Sequence, residues 1–271
     1  MGTRISEKLA GDRYYEKIVK RGQQVVINPY HSKKLELLSE HDSRIAAYKE
    51  ALDVVAQLCE GVRGYVLTGG LAIPATTGCF YRAHRALHLG LQRDELPLFL
   101  ECMSENNYYL FSRIDMRRKI VGRGWKRDVY EPLTLEEIKR LVAGQQLEKR
   151  CAGLSNKAEN LRLIQVVHLG GTIQSHQSLT AYLDLYLHWY DAAGYLASND
   201  DQKKRNLPTY FSGGFYEAKG GRKLPLVNLE YLLQRKSERY ARKKRETDRY
   251  DVKRIKEYLC QEKHAANALH G

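Results

Sequence analysis

The stretch YVLTGGLAIPATTGCFYRAHRALHLGLQRDELPLFLECMSENNYYLF, residues 65–111, decides the fold. Tyr65 to Thr68 reads as a short buried strand that runs into a Gly69-Gly70 turn. Leu71 to Ala75 begins a short helix, stopped near Pro74 or Gly78. Leu87, Leu89 and Leu91 alternate with Ala86, His88 and Gly90, the period-two pattern of a strand. Asp94-Glu-Leu-Pro-Leu-Phe-Leu opens a helix with acidic residues in its first turn, where the helix dipole favours them. That helix ends near Glu105. Asn106-Asn107 supplies a turn before a strand at Tyr108 to Phe111. Residues 60–112 therefore read strand, turn, helix, strand, helix, strand.

On the N-terminal side, Ile45, Ala46, Leu52, Val55 and Leu58 recur at steps of three and four, so residues 41–59 are predicted helical, capped by Asp42 or Ser43. Residues 1–40 are polar and mixed, with a turn at Asn28-Pro29. On the C-terminal side, Thr134 to Ala143 is predicted helical, with Glu137 completing a capping box. Leu161–Leu169 and Tyr182–Trp189 are predicted strands on either side of a Gly170-Gly171-Thr172 loop, and residues 198–206 are a polar loop. Tyr210–Tyr216 and Lys223–Val227 are further strand candidates. The last third is helical, with Val252, Ile255 and Leu259 on one packing face.

Composition narrows the function classes. A chain of 271 residues with 43% hydrophobic content can bury a sizeable core. Its apolar runs are far shorter than the ~20 residues that span a bilayer, and MGTRISEKLAGDRYY lacks the apolar stretch of a secretory signal. No membrane partner is expected. The five cysteines are scattered and form no CxxC pair, which suits reduced thiols and a cytoplasmic location. The net charge is +13, and about half of it is concentrated: residues 234–256 hold eleven Lys or Arg against four Asp or Glu. Such a segment suits a polyanion, whether nucleotide, RNA or an acidic protein surface. It equally suits a solvated helix face laced by pairs such as Glu238 with Arg242.

The order of these segments resembles the opening of a nucleotidyltransferase domain, most closely the branch that adenylylates aminoglycosides or lincosamides. The matching residues are Gly69-Gly70, Phe80-Tyr81-Arg82-Ala83-His84 and Asp94-Glu95-Leu96-Pro97. Leu183-Asp184-Leu185 resembles the strand that carries the family's third carboxylate. Leu224 to Lys236, then Arg245, Asp248 and Asp251, resemble its closing helices. The resemblance covers residues 60–262 in pieces. It implies an α/β (α+β) fold, a mixed sheet flanked by helices. The domains would be a helical N-terminal extension at 1–59, a core at 60–228, and basic C-terminal helices at 229–271 packed on that core. It also implies a nucleoside triphosphate as ligand, contacted by Thr68, Gly69, Gly70, Arg82, Lys236 and Arg245.

The chemistry behind that pattern is triphosphate handling. Glycines let backbone N–H groups approach phosphate oxygens. Two carboxylates on one strand face hold divalent ions that neutralise the phosphates and activate the attacking hydroxyl. A third carboxylate, here Asp184, completes the site or acts as base. Basic helix residues add charge against the outer phosphates. At the centre the chain departs from the pattern, because Ala86 and His88 stand where the resemblance puts the two metal aspartates. Magnesium prefers hard oxygen ligands to imidazole, so it is not expected as a cofactor.

Three explanations stay open: a degenerate member that binds without transferring, a different metal or shifted ligand set, or introduced substitutions at the two positions. The leading function is a catalytically degenerate nucleotide- or phosphate-binding protein. One alternative is an active transferase moving a nucleoside monophosphate to a hydroxyl on a small molecule, protein or RNA. Another is an RNA-binding or protein-interaction module.

Other residues carry weaker signals. His84 and His88 share a strand face and could join Asp184 at a transition metal, but a hydrogen-bonded histidine explains His88 equally well. Tyr81 and Arg82 could stack on a base and touch phosphate. Asp94 reads as a helix cap. Cys79 has no His–Asp partners by spacing, so it is not expected to be a nucleophile. His168, His176 and His188 have no metal-ligand spacing.

Overall fold

A computed structural model of the chain describes residues 25–26, 35–84, 87–106, 108–114, 129–132, 136, 164–168, 182–190, 196–198 and 208–270. Ala86 and Gly170-Gly171 lie outside the described residues, as does the predicted helix at 134–143 apart from position 136.

The strand–turn–helix reading of residues 60–112 corresponds closely to the structure. β1 is Val25–Val26, α1 is Arg44–Leu58, β2 is Tyr65–Thr68 and α2 is Ala72–Thr77. β3 is Leu87–Gln92, α3 is Leu96–Ser104 after a 3-10 turn at Arg93–Glu95, and β4 is Tyr108–Ile114. Next come β5 at Val129–Pro132, β6 at Ile164–His168, β7 at Tyr182–Tyr190 and β8 at Leu196–Ser198. A 3-10 turn at Pro208–Phe211 precedes the hairpin of β9, Phe215–Glu217, and β10, Lys223–Pro225. α4, Leu229–Lys243, and α5, Glu246–His270, close the chain.

The strands form a mixed sheet in the order β1-β5-β4-β6-β7-β3-β2, with β8 paired to β7, and β9 and β10 form a separate two-stranded sheet. The protein is thus of mixed α/β class, as expected. β3 lies between antiparallel β2 and parallel β7, and Leu87, Leu89 and Leu91 are all fully buried. The alternating residues on β3 are the ones that matter for the site. Leucine repeats there at period two because successive side chains point to opposite faces and one face of β3 turns to the core.

The N-terminal segment differs from a separate helical extension. α1 forms as its periodicity requires, but Leu52 and Val55 are fully buried in the same cluster as β2, β3 and β7. Val25–Val26 pair antiparallel with β5 as a strand. At the start of α1, Asp42 accepts the Arg44 backbone N–H at 3.0 Å, whereas the Ser43 side chain makes no cap bond. Asp94 is not a cap either, because its carboxylate accepts from Arg93 Nε at 2.7 Å in solvent.

Two contacts set the direction of α4. The Val227 backbone N–H donates to the Leu67 carbonyl at 2.9 Å, which ties this segment to the free edge of β2. Asn228 then caps α4, its Oδ1 accepting from the backbone N–H groups of Glu230 and Tyr231 at 2.8 and 3.2 Å. The helix therefore leaves the sheet beside β2 and carries its side chains over the Gly69-Gly70 turn. Among the described residues, no helix is long and apolar enough to cross a membrane.

Candidate nucleotide-binding cleft

The Gly69-Gly70 turn, β3, β7 and α4 border a cleft that opens to solvent, with a water-accessible interior of about 50 Å3. Thr68, Gly69 and His88 form one side. Tyr186 and His188 come from β7, Tyr210 from the turn after β8, and Tyr231, Leu232, Arg235, Lys236 and Arg239 from α4. On α4 the spacing 231, 232, 235, 236, 239 places these residues on one helical stripe.

β-Register sets His88 at the cleft beside two of the expected positions, Thr68 and Asp184, while Ala86 lies outside the described residues. His88 is paired across the sheet with Thr68 on one side and with Asp184 on the other. Gly69 has φ +75°, and a side chain there would press on the His88 ring at 3.0 Å, so the turn can lie against β3 only as glycine. His88 is half-buried. Its Nδ1 lies 3.1 Å from the Tyr186 hydroxyl, and the two rings stack at 5.6 Å. Asp184 is placed by its backbone register.

Arg82 is not in the cleft. It packs against Gly70 and is 8% exposed, its Nε and Nη2 donating to both oxygens of Asp251 at 2.6 and 2.9 Å. The Tyr81 hydroxyl donates to the same carboxylate at 2.8 Å. Tyr81 and Arg82 thus fasten α5 to the core, and the base-stacking and phosphate roles expected of them are not what their geometry serves. Lys236 borders the cleft, but its Nζ lies 2.6 Å from Asp251 and 3.3 Å from Asp248. The inner group of Arg82, Lys236, Asp248 and Asp251 is charge-balanced. Burial opposes ionisation of Asp251, but Lys236 and Arg82 outweigh it and hold the carboxyl below the ordinary range. Arg245 is exposed at the α4–α5 junction and does not line the cleft.

Two further cations line the cleft, Arg235 and Arg239, which the sequence pattern did not single out. Arg235 also pairs with Glu238 at 3.8 Å, and Arg239 lies 3.9 Å from Asp248. His188, whose spacing suits no metal site, also lines the cleft. It is 2% exposed, and its ring lies 4.1 Å from that of Tyr210. Neither of its ring nitrogens has a hydrogen-bond partner among the described residues. Burial, helped by the Arg235 charge, lowers its pKa to about 3, so it is neutral. The signal that could have found it is its place on the strand that carries Asp184, with the same alternation.

His84 is buried, edge-on to Tyr48, and burial together with Arg82 holds its pKa well below the ordinary value. It does not border the cleft, so a His84–His88 metal pair has no shared space there. Among the described residues, no group of three His, Cys, Asp or Glu side chains could hold a metal ion. Cys79 is exposed at the end of α2.

Gly90, next but one to His88, makes the cleft's back wall possible. A side chain at Gly90 would collide with the Tyr210 ring, which is 1% exposed and held edge-on by Tyr231 and Phe211. Gly90→Ala is expected to cost about 1–3 kcal/mol through overpacking. Urea unfolding of the variant checks this, and a stability within error of the parent would show that Tyr210 moves freely. Compared with protein-family models, curated proteins and solved structures, the chain matches none.

Proposed function

We propose that the chain is a nucleotide-binding protein on a nucleotidyltransferase-like frame, and that it does not perform metal-dependent nucleotidyl transfer. One observation carries this reading: a glycine turn and an aromatic–basic cleft meet at His88, where the resemblance calls for a metal-binding aspartate. The groups at the open mouth of the cleft are of the kinds a nucleotide uses. Tyr186 offers an aromatic ring, Tyr231 edges the cleft, Arg235 and Arg239 bring cations to it, and Gly69 adds backbone to its lining. The residues present do not fit magnesium. His88 presents an imidazole already engaged with Tyr186, and imidazole is a poor ligand for this ion. No catalytic step through a metal is therefore derived.

Calorimetry with ATP and GTP tests the reading. Binding is expected to be equal in magnesium and in EDTA. Arg235→Gln and Arg239→Gln are each expected to weaken it by roughly tenfold, the loss of one charge-assisted hydrogen bond. Radiolabel transfer from a nucleoside triphosphate to any acceptor would overturn the proposal. Restoration provides a second check: Ala86→Asp combined with His88→Asp is expected to create magnesium-dependent nucleotide affinity. Absence of any gain would count against the alignment of β3 with the family strand.

A further inference from the structure

The fold redistributes the charge of residues 234–256. Of the four acids in that segment, Asp248 and Asp251 are 2% and 0% exposed and spend their charge inward on Lys236 and Arg82. Lys236 is also buried. Ten cations and two acids, Glu238 and Glu246, remain for the surface. Glu257 engages Lys253 and Arg254 at 3.7 and 3.2 Å, so the excess is densest nearer the α4–α5 junction. There Arg242, Lys243, Lys244, Arg245 and Arg249 are all exposed.

This excess is continuous with the cleft. Arg235 and Arg239 line it, and Arg242 follows on the same face of α4, so the cations form a row about 10 Å long at 1.5 Å per residue. Lys243 to Arg245 extend the row around the junction into α5. A lone nucleotide needs only the cleft. A row of cations leading out of it suits a ligand whose negative charge repeats along a chain.

We propose that this row and the cleft together bind a single-stranded polynucleotide, with one unstacked terminal nucleotide in the cleft and the following phosphodiesters along α4 and its junction with α5. The inference rests on the nucleotide reading of the cleft and adds the partner. Aromatic surfaces that accept a base, joined to a basic track, are how single strands are held without a duplex groove. The stacked His88–Tyr186 pair supplies the aromatic surface, backed by Tyr231 at the cleft's edge. His188 supplies one donor and one acceptor that nothing described in the fold satisfies. An acidic protein surface would use the row but would have no use for these groups.

The test uses the full chain and fluorescence anisotropy with labelled oligouridylate and oligothymidylate, the matching duplexes, and polyglutamate as competitor. Single strands of RNA, DNA or both are expected to bind, and comparing the two sugars identifies the source. The variant Arg242→Gln, Lys243→Gln, Lys244→Gln, Arg245→Gln changes only exposed residues. It is expected to lose at least tenfold in affinity and to flatten the salt slope by about 3, from four phosphate contacts at about 0.7 each. Its mononucleotide affinity should not change. Tyr186→Ala should weaken both ligands.

Duplex binding as tight as single-strand binding would overturn the proposal. So would polyglutamate competing on equal terms, which would mark an acidic protein partner. A wild-type chain that binds mononucleotide but no oligonucleotide sinks this inference alone. One that binds single strands through the row but no mononucleotide supports the row and sinks the nucleotide reading instead.

Discussion

Asp251→Ala is expected to lower unfolding stability by about 3–5 kcal/mol, because it strands two buried cations. Asp251 is completely buried and answers Arg82, Lys236 and Tyr81 at once. Removing it leaves a guanidinium and an ammonium with only Asp248 nearby. Continuum reasoning about buried ion pairs gives a second expectation of opposite sense. Replacing the whole group with apolar residues of similar volume (Arg82→Met, Lys236→Met, Asp251→Leu with Asp248→Asn) removes the desolvation cost together with the attraction, and should be neutral or mildly stabilising. Urea denaturation of the two variants measures both. A single variant within about 1 kcal/mol of the parent would show that water reaches the cluster.

The group also makes the α4–α5 pair part of the core. α5 is tied through Asp251 to Arg82, which packs against Gly70. Loss of Asp251 is therefore expected to disturb the glycine turn and weaken nucleotide affinity along with stability.

The second large effect is acid sensitivity from the two buried histidines. His84 and His188 both have depressed folded pKa values, burial being the first cause in each. A histidine kept neutral in the fold titrates near 6.5 once unfolded, so its contribution is intact above that pH. It is then lost progressively as pH falls, down to about 3 for His188. Each histidine should cost about 1.4 kcal/mol per pH unit in that window, or roughly 3–4 kcal/mol for the pair between pH 6.5 and 5. Asp251 acts in a different range. Its carboxyl is depressed, so its contribution is full above the ordinary carboxylate range and is lost only in stronger acid. Thermal melts from pH 7 to pH 5 check the histidine effect, and His188→Phe, which keeps a ring against Tyr210, should roughly halve the slope. A flat profile would mean that protonated histidines are solvated in the folded protein.

Much of the frame was legible in the chain. Leu87, Leu89 and Leu91 announce β3 because a strand buried on a core face must repeat at two residues. The run Tyr65 to Gly70 announces β2 and its turn because its apolar run gives way to paired glycines. The extent of α1 follows from its periodicity. Local pattern failed where the partner is distant. The two-residue strand Val25–Val26 is defined by its pairing with Val129 and Tyr130, and nothing within a few residues encodes that. The Glu238–Arg242 spacing suggested an ion pair, but the fold gives Glu238 to Arg235 at 3.8 Å.

The site divides in the same way. The sequence by itself determined the glycine turn, the strand that follows it and the absence of a carboxylate at positions 86 and 88, because these depend on residue type and local spacing. Tertiary structure alone decided which cations face the cleft. Arg82 and Lys236 looked like phosphate ligands, yet Asp251 pairs with both from the opposite side, while Arg235 and Arg239 line the cleft with their own acidic partners, Glu238 and Asp248. The reason is that a buried charge must find its counter-charge within a few ångströms, and only the packing of α4 and α5 on the core determines which carboxylates come that close.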